Sequence, residues 1–392
     1  MIVHLLLILQ FTLASACHKP QADPDPVTVL PGAYNMDNYL DLIKDQRIGL
    51  VVNHTSMLDN THLVDTLLNL EYNIRLIFSP EHGFKGTAYN GEKVDDSAYD
   101  GISIKSLYGS SKKPSSEDLE KVDILLFDIQ DVGARFYTYI STLHYVMEAA
   151  AESDIPVIIL DRPNPNAHYV DGPIMQEEHS SFVGLHPVPV VYGMTIGEYG
   201  HMINGEGWLT DGIRCDLKVI PIKNYDHQTE YILPIPPSPN LPNPRSIYLY
   251  PSLCFLEGTV ISAGRGTNQQ FQIYGHPKMD GSYEFRPKSM SSSKYPKHEG
   301  ELCFGMDLTR YDAHEYRRQA RLDLSHLIHS FNSTSVNADS FFLENGFFEL
   351  LVGTDVLRNQ IINGVAESEI RASWQAGLEQ FASTRSKYLI YP

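Results

Sequence analysis

The chain predicts an α/β fold, a parallel sheet covered by helices on both faces, followed by a second domain. Three observations carry that prediction. Short, near-continuous apolar runs alternate with segments whose apolar residues recur at helical spacing. A cluster of polar residues follows each run, where an open parallel sheet keeps its working groups. The length, 392 residues, exceeds one ordinary domain and falls short of three.

The first segment stands apart from the fold. Residues 1–16 (MIVHLLLILQFTLASA) hold an apolar stretch from Leu5 to Leu13, broken only by Gln10 and Thr12. Spanning a bilayer takes about 20 apolar residues, so this segment fits an export signal instead, although its start carries His4 and no Lys or Arg. Ala14-Ser15-Ala16 is an A-x-A cleavage site, and Leu13 to Cys17 resembles a lipobox with Ala14 in place of the usual Leu. Both put the cut before Cys17. The expectation is a signal peptide over 1–16, a lipid anchor at Cys17 and a tether over 17–28, where Pro20, Pro24 and Pro26 oppose packing. The protein is then an exported bacterial lipoprotein, periplasmic or on the cell surface, that touches membrane only through the anchor.

The first folded domain is expected over 29–245. Arg47 to Val52 reads as its first strand, ending in Asn53-His54-Thr55-Ser56. Leu63, Val64, Leu67 and Leu68 mark a helix. Ile74 to Phe78 is a second strand, followed by Ser79-Pro80-Glu81-His82-Gly83. Val122 to Phe127 is a third, followed by Asp128-Ile129-Gln130-Asp131. Ile140 to Ala151 is helical, with Leu143, Met147, Ala150 and Ala151 on one face. Pro156 to Leu160 is a fourth strand, followed by Asp161-Arg162-Pro163-Asn164-Pro165. Thr195-Ile196-Gly197-Glu198 has capping-box spacing and opens another helix. Leu217 to Ile220 is a fifth strand. No G-x-G-x-x-G follows the first strand and no P-loop is present, so the sheet is not read as nucleotide binding.

Pro234 to Pro244 (PIPPSPNLPNP) admits neither a central strand nor a helix, and reads as a rigid crossing between domains or a wall of the cleft. The second domain is expected over 246–392. Ser289 to Lys297 reads as a loop, and Thr354 to Asn363 as a helix stopped by Gly364. Ile370, Trp374, Leu378 and Phe381 form one stripe on a closing helix and belong to the core.

Charge and cysteine usage narrow the function. Lys and Arg total 30 against 48 Asp and Glu, a net charge of −18 that repels phosphate backbones, so no nucleic-acid partner is expected. With Cys17 set aside, Cys215, Cys254 and Cys303 have no metal-ligand spacing and read as small buried hydrophobes. His54, His82 and His144 fall in no H-E-x-x-H, and G-x-S-x-G is absent, so neither a metal, a cofactor nor a serine nucleophile is expected. What remains is carboxylate, histidine and arginine around a polar cleft, which suits glycoside hydrolysis by a pair of acids. Glu81, hemmed by Phe78, Pro80 and Phe84, is the candidate acid, because desolvation favours the protonated carboxyl such a role needs. Asp128, Asp131 and Glu257 are candidates for the second carboxylate, while turn and cap chemistry suits the two aspartates equally well. Arg135, followed by Phe136-Tyr137-Thr138-Tyr139, suits an anionic ligand with an apolar ring face, or a structural ion pair.

The segments Phe78 to Phe84 (FSPEHGF), Phe127 to Tyr139 (FDIQDVGARFYTY), Leu160 to Pro165 (LDRPNP), Val191 to Thr195 (VYGMT), Pro237 to Pro242 (PSPNLP) and Tyr250 to Thr259 (YPSLCFLEGT) resemble the NamZ family of exo-β-N-acetylmuramidases, long known only as a domain of unknown function. The resemblance runs from about residue 30 to Pro392 and departs at Gln270, where the family pattern has a proline before Phe271. It implies a Rossmann-like N-terminal domain, a smaller C-terminal α/β domain and a site in the cleft between them. The implied activity is release of N-acetylmuramic acid from the non-reducing end of peptidoglycan fragments, with muropeptides or a MurNAc–GlcNAc disaccharide as substrate. Glu81 is then the leading catalytic residue, with His82 beside it and Asp128 as a further catalytic candidate. Asn53, Asp131, Arg135, Tyr137, Arg162, Asn164, Glu257 and Arg265 are the expected substrate-binding positions. Muramic acid carries a lactyl carboxylate, for which Arg135, Arg162 and Arg265 are the candidate cations. The competing expectation is a non-catalytic surface lipoprotein that binds muropeptides or other glycans in the same cleft.

Overall fold

The computed structural model describes residues 28–89 and 91–392, so the expected signal peptide, Cys17 and the tether up to residue 27 lie outside the described residues. The first domain is built on a seven-stranded sheet: β1 (Ile48–Val52), β2 (Ile74–Ser79), β3 (Ser97–Tyr99), β4 (Ile102–Ser106), β5 (Ile124–Asp128), β6 (Val157–Leu160) and β7 (Leu217–Ile220). Their order across the sheet is β3-β4-β2-β1-β5-β6-β7. All neighbours pair in parallel except β3 with β4. β1, β5 and β6 are buried at every position, which is why they read as continuous apolar runs. β3, at the edge, and β4, next to it, escape the sequence reading because both are partly exposed, and the ISIKS alternation of β4 mixes polar with apolar residues.

The pairing keeps the strand ends level. Val51 stands opposite Phe78 and Phe127, and Val52 opposite Asp128, so the segments after β1, β2 and β5 emerge on one edge. One face of the sheet packs on α1 (Leu63–Asn69) and on Ala33, Tyr39 and Ile43. The other packs on α2 (Tyr139–Glu152) and α3 (Ile196–Gly205), whose N-terminus carries the complete Thr195–Glu198 capping box.

The second domain begins where the prolines end. Residues 234–243 hold no regular element, and Pro244 then takes the first position of α4 (Pro244–Leu253), capped by Asn243. Proline at that position loses no intrahelical bond, so Pro244 starts a helix instead of excluding one. A three-stranded antiparallel sheet follows, with β8 (Ile273–His276), β9 (Tyr283–Phe285) and β10 (Cys303–Asp307) in the order β8-β10-β9. Residues 289–297 carry no helix or strand beyond an isolated bridge, as expected of a loop. Short helices close the chain: α5 (Phe347–Val352), α6 (Val356–Ile362), α7 (Glu367–Ala372) and α8 (Gln375–Arg385). The expected single closing helix is broken at Ser373-Trp374, yet Ile370, Trp374 and Phe381 still share the core. That core is continuous across both domains, running from Val51 and Phe127 through Phe136 and Tyr250 to Phe348 and Phe381. No helix among the described residues is long and apolar enough to cross a membrane.

Candidate active site

β2 delivers Glu81 to the edge of the sheet. After Pro80 the backbone turns through left-handed conformations at His82 (φ 69°) and Gly83 (φ 72°). A left-handed histidine costs energy that the surroundings must supply, and such residues gather at working sites. Here the turn leaves Glu81 half-buried with its carboxyl held from two sides. Thr138 Oγ1 donates to Oε2 at 2.8 Å, and the Gly91 amide donates to Oε1 at 3.3 Å. Behind it, the Asn53 amide donates to the Tyr139 hydroxyl at 3.1 Å, and that hydroxyl donates to the Glu81 carbonyl at 3.5 Å. His82 is buried, and its Nδ1–H donates to the Ala88 carbonyl at 2.7 Å. Burial pulls its pKa down against the attraction of Glu81, so the imidazole stays neutral at pH 7.

Glu81 faces a cavity of about 460 Å³ between the domains. Tyr108, Phe136, Phe182 and Tyr250 give it apolar walls, and Glu81, Glu257, Arg265 and Lys112 give it charge. The expected hemming by Phe84 is absent, because that ring turns away to pack on His62 and Tyr99. A second hollow of about 60 Å³ adjoins Glu81 and His82, walled by Ser238 and Asn240 of the proline-rich crossing. The crossing is pinned there by the Tyr137 hydroxyl, which donates to the Pro237 carbonyl at 2.8 Å, and by His54 against the Pro236 carbonyl at 2.9 Å. It is both the passage between domains and a wall of the site.

The second domain contributes Glu257 and Arg265. Arg265 Nε lies 2.7 Å from Glu257 Oε2. Below them Lys297 Nζ sits among the carbonyls of Leu256, Glu257, Thr259 and Ile261 at 2.6–3.2 Å. Burial pulls the Lys297 ammonium down to about 8, which leaves it mostly charged at pH 7. Burial also pushes the Glu257 carboxyl up, but Arg265 and Lys297 outweigh it and hold the group below the usual carboxylate range. Glu257 is therefore ionised at neutral pH. Under the guanidinium, 4.9 Å from its carbon, lies the ring of Phe271, a buried residue with φ 53°. The loop is packed, not loose: Pro296 closes over Gly266, and a Cβ there would meet it at 2.6 Å.

Most of the other predicted positions turn inward. Asp128 is fully buried and held by Arg162, Nε to Oδ1 at 2.5 Å and Nη2 to Oδ2 at 2.9 Å, and neither residue lines the cavities beside Glu81. Two charges that neutralise each other inside the protein leave nothing for a substrate. Asp131 accepts from the Gly133 amide at 2.6 Å and from the Tyr192 hydroxyl, and burial pushes its carboxyl up to about 6. Asn164 binds the Met194 carbonyl and the Asn166 amide, both at 2.8 Å. It presses on Gly133 (φ 74°), where a Cβ would collide with its side chain, which accounts for the glycine in the 127–139 motif. Arg135 is fully buried and donates to the carbonyls of Pro173, Val188, Leu351 and Val352 at 2.7–3.0 Å. It is a joint between the domains and not an anion site. Tyr137 lines only the smaller hollow, and Asn53 supports Glu81 from behind.

Comparison with known proteins follows this geometry. The N-terminal model of the exo-β-N-acetylmuramidase NamZ matches residues 48–245, and the C-terminal model matches residues 248–391. The chain belongs to the NamZ family. It is 38% identical to the peptidoglycan β-N-acetylmuramidase NamZ of Bacillus subtilis over 398 residues, 95% of this chain and 92% of that one. Two solved DUF1343 family proteins of Bacteroides fragilis share its fold. One is 47% identical with a TM-score of 0.86, the other 26% identical with a TM-score of 0.79, each covering 93% of this chain and 99% of its own.

Sequence reasoning missed Tyr108, Lys112, Thr138, Phe182 and Tyr250, which line the cavity. Thr138 and Tyr250 stand inside two of the quoted motifs, where aspartate and arginine drew the attention. Tyr108, Lys112 and Phe182 come from loops that carry no motif, and only the fold brings them to Glu81. Among the described residues no group of three or more His, Cys, Asp or Glu is placed to hold a metal.

Proposed function

We propose that this chain is an exo-β-N-acetylmuramidase that releases N-acetylmuramic acid from the non-reducing end of peptidoglycan fragments, in cell-wall turnover and recycling. The observation that carries the reading is the pairing of two carboxylates from two domains, Glu81 and Glu257, across one cavity of monosaccharide scale. Glu81 donates a proton to the glycosidic oxygen as the bond breaks. Glu257, kept ionised by Arg265 and Lys297, is in the form that a nucleophile or general base requires. The aromatic walls receive the apolar faces of the sugar. Among the described residues Lys112 and Arg265 are the two cations on the cavity wall, and with Arg265 engaged by Glu257, Lys112 provides for the lactyl carboxylate.

The deciding experiment is Glu81→Gln assayed on a chromogenic muramic acid glycoside. Turnover is expected to fall by about 10²–10⁴-fold while the disaccharide still binds. Wild-type turnover by the variant would remove Glu81 from the mechanism, and binding without any release of muramic acid by the wild-type protein would favour a glycan-binding lipoprotein.

We further propose export and lipid anchoring through Cys17, on the strength of the segment Leu13 to Cys17. The mature protein is expected to enter the detergent phase on Triton X-114 partitioning, and Cys17→Ser to return it to water. Equal partitioning of the two would refute the anchor.

A further inference from the structure

Tyr295 is the most exposed of the large hydrophobic residues among those described, at 75%. It is not solitary. Its ring meets that of Tyr89 across the domain gap, with centroids 6.4 Å apart and planes at 87°. Lys294 Nζ lies 5.7 Å from the Tyr89 centroid and 5.4 Å from that of Tyr295.

Both rings are tied to the rim of the site. Gly91, whose amide donates to Glu81, lines the cavity, and Tyr89 lies two residues before it, within about 7 Å along the chain. On the other side Pro296 closes over Gly266 beside Arg265, and Lys297 sits beneath Glu257. The pair thus bridges the domains at the rim, outside the cavity lining itself, with Tyr89 two residues along the chain from the Gly91 amide that donates to Glu81. An edge-to-face pair keeps at least one ring face open. A pyranose offers an apolar C–H face to such a ring and a hydroxyl rim to a neighbouring ammonium.

An exo-acting glycosidase encloses one sugar and must leave the next one outside, next to its acid. We propose that Tyr89 and Tyr295, with Lys294, form the subsite for that departing sugar, an N-acetylglucosamine residue of the peptidoglycan strand. This inference rests on the glycosidase reading above. Contact energy at this platform is gained only by substrates with a ring as leaving group, and is available to the transition state.

The test compares kcat/KM on a MurNAc–GlcNAc disaccharide and on a methyl muramic acid glycoside, for wild type, Tyr295→Ala and Tyr295→Phe. Because Tyr295 is exposed, truncating it does not threaten the fold. Tyr295→Ala is expected to lose about three- to tenfold on the disaccharide, in line with an aromatic contact, and to change less than twofold on the methyl glycoside. Tyr295→Phe is expected to retain the selectivity. Equal effects on both substrates, or none on the disaccharide, would overturn the platform and leave the glycosidase reading intact. Failure of the wild type to cleave the disaccharide would overturn both.

Discussion

Lys112 has no motif around it, and its role follows from what surrounds the side chain. Its ammonium lies 4.6 Å above the Phe182 ring, it lines the Glu81 cavity, and it has no carboxylate partner among the described residues. Arg265, by contrast, already faces Glu257. Of the cations near the site, Lys112 therefore has charge to spare for a lactyl carboxylate, while Arg135 and Arg162 spend theirs on buried carbonyls and on Asp128. A solvent-facing charge pair is worth about 1 kcal/mol, or roughly fivefold in rate constant. Lys112→Ala is expected to lower kcat/KM by about that factor on a muramic acid glycoside and to leave the matching N-acetylglucosamine glycoside unaffected. Parallel assays of the two aryl glycosides measure it, and an equal loss on both would deny Lys112 that role.

At the level of elements, the chain end is tied into the first sheet. The amides of Ile390 and Tyr391 donate to Glu198 Oε1 at 2.8 and 3.2 Å. The Tyr391 hydroxyl donates to Asp161 Oδ2 at 2.7 Å, and the Thr195 hydroxyl donates to the same oxygen at 2.7 Å. Burial pushes the Asp161 carboxyl up from 3.8 to about 7. Between those values the folded chain keeps a proton that the unfolded chain has released, so this group's stabilisation is complete below the lower value and fades as pH rises through the upper one. The thermal midpoint is expected to fall between pH 5 and pH 8, and Asp161→Asn to narrow that difference. Scanning calorimetry at the two pH values decides, and an undiminished slope in the variant would assign it to other groups. Little of this network was legible in the sequence. Hydrophobic period marks an element, but it says nothing of which distant segment covers a strand end. Asn164 looked like a site residue because it follows a strand, in the same cluster as Asp161, and such positions equally serve a turn and a tail.

For the whole molecule, the sequence carried the sheet better than the site. Fully buried strands must be continuous apolar runs, so β1, β5 and β6 announced themselves, as did β2, broken only by the exposed Arg75, and the helix capped at Thr195. The partly exposed β3 and β4 and a helix opened by Pro244 did not, because solvent and capping set their residues. At the site, Glu81, Glu257 and Arg265 were legible as chemistry in motifs, whereas polar residues in the same motifs proved to hold the fold together. Arg135 is the clearest case. It donates to Pro173 and Val188 on one side and to Leu351 and Val352 on the other, and Gly353 (φ 80°) leaves room for it, since a Cβ there would meet its Nη2 at 2.8 Å. The consequence reaches beyond this one chain. Recombination between family members near residue 245 would set an arginine from one lineage into a socket cut by another. A graft of one half onto another is therefore expected to stay folded only where Arg135, Gly353 and the backbone around the guanidinium keep their places.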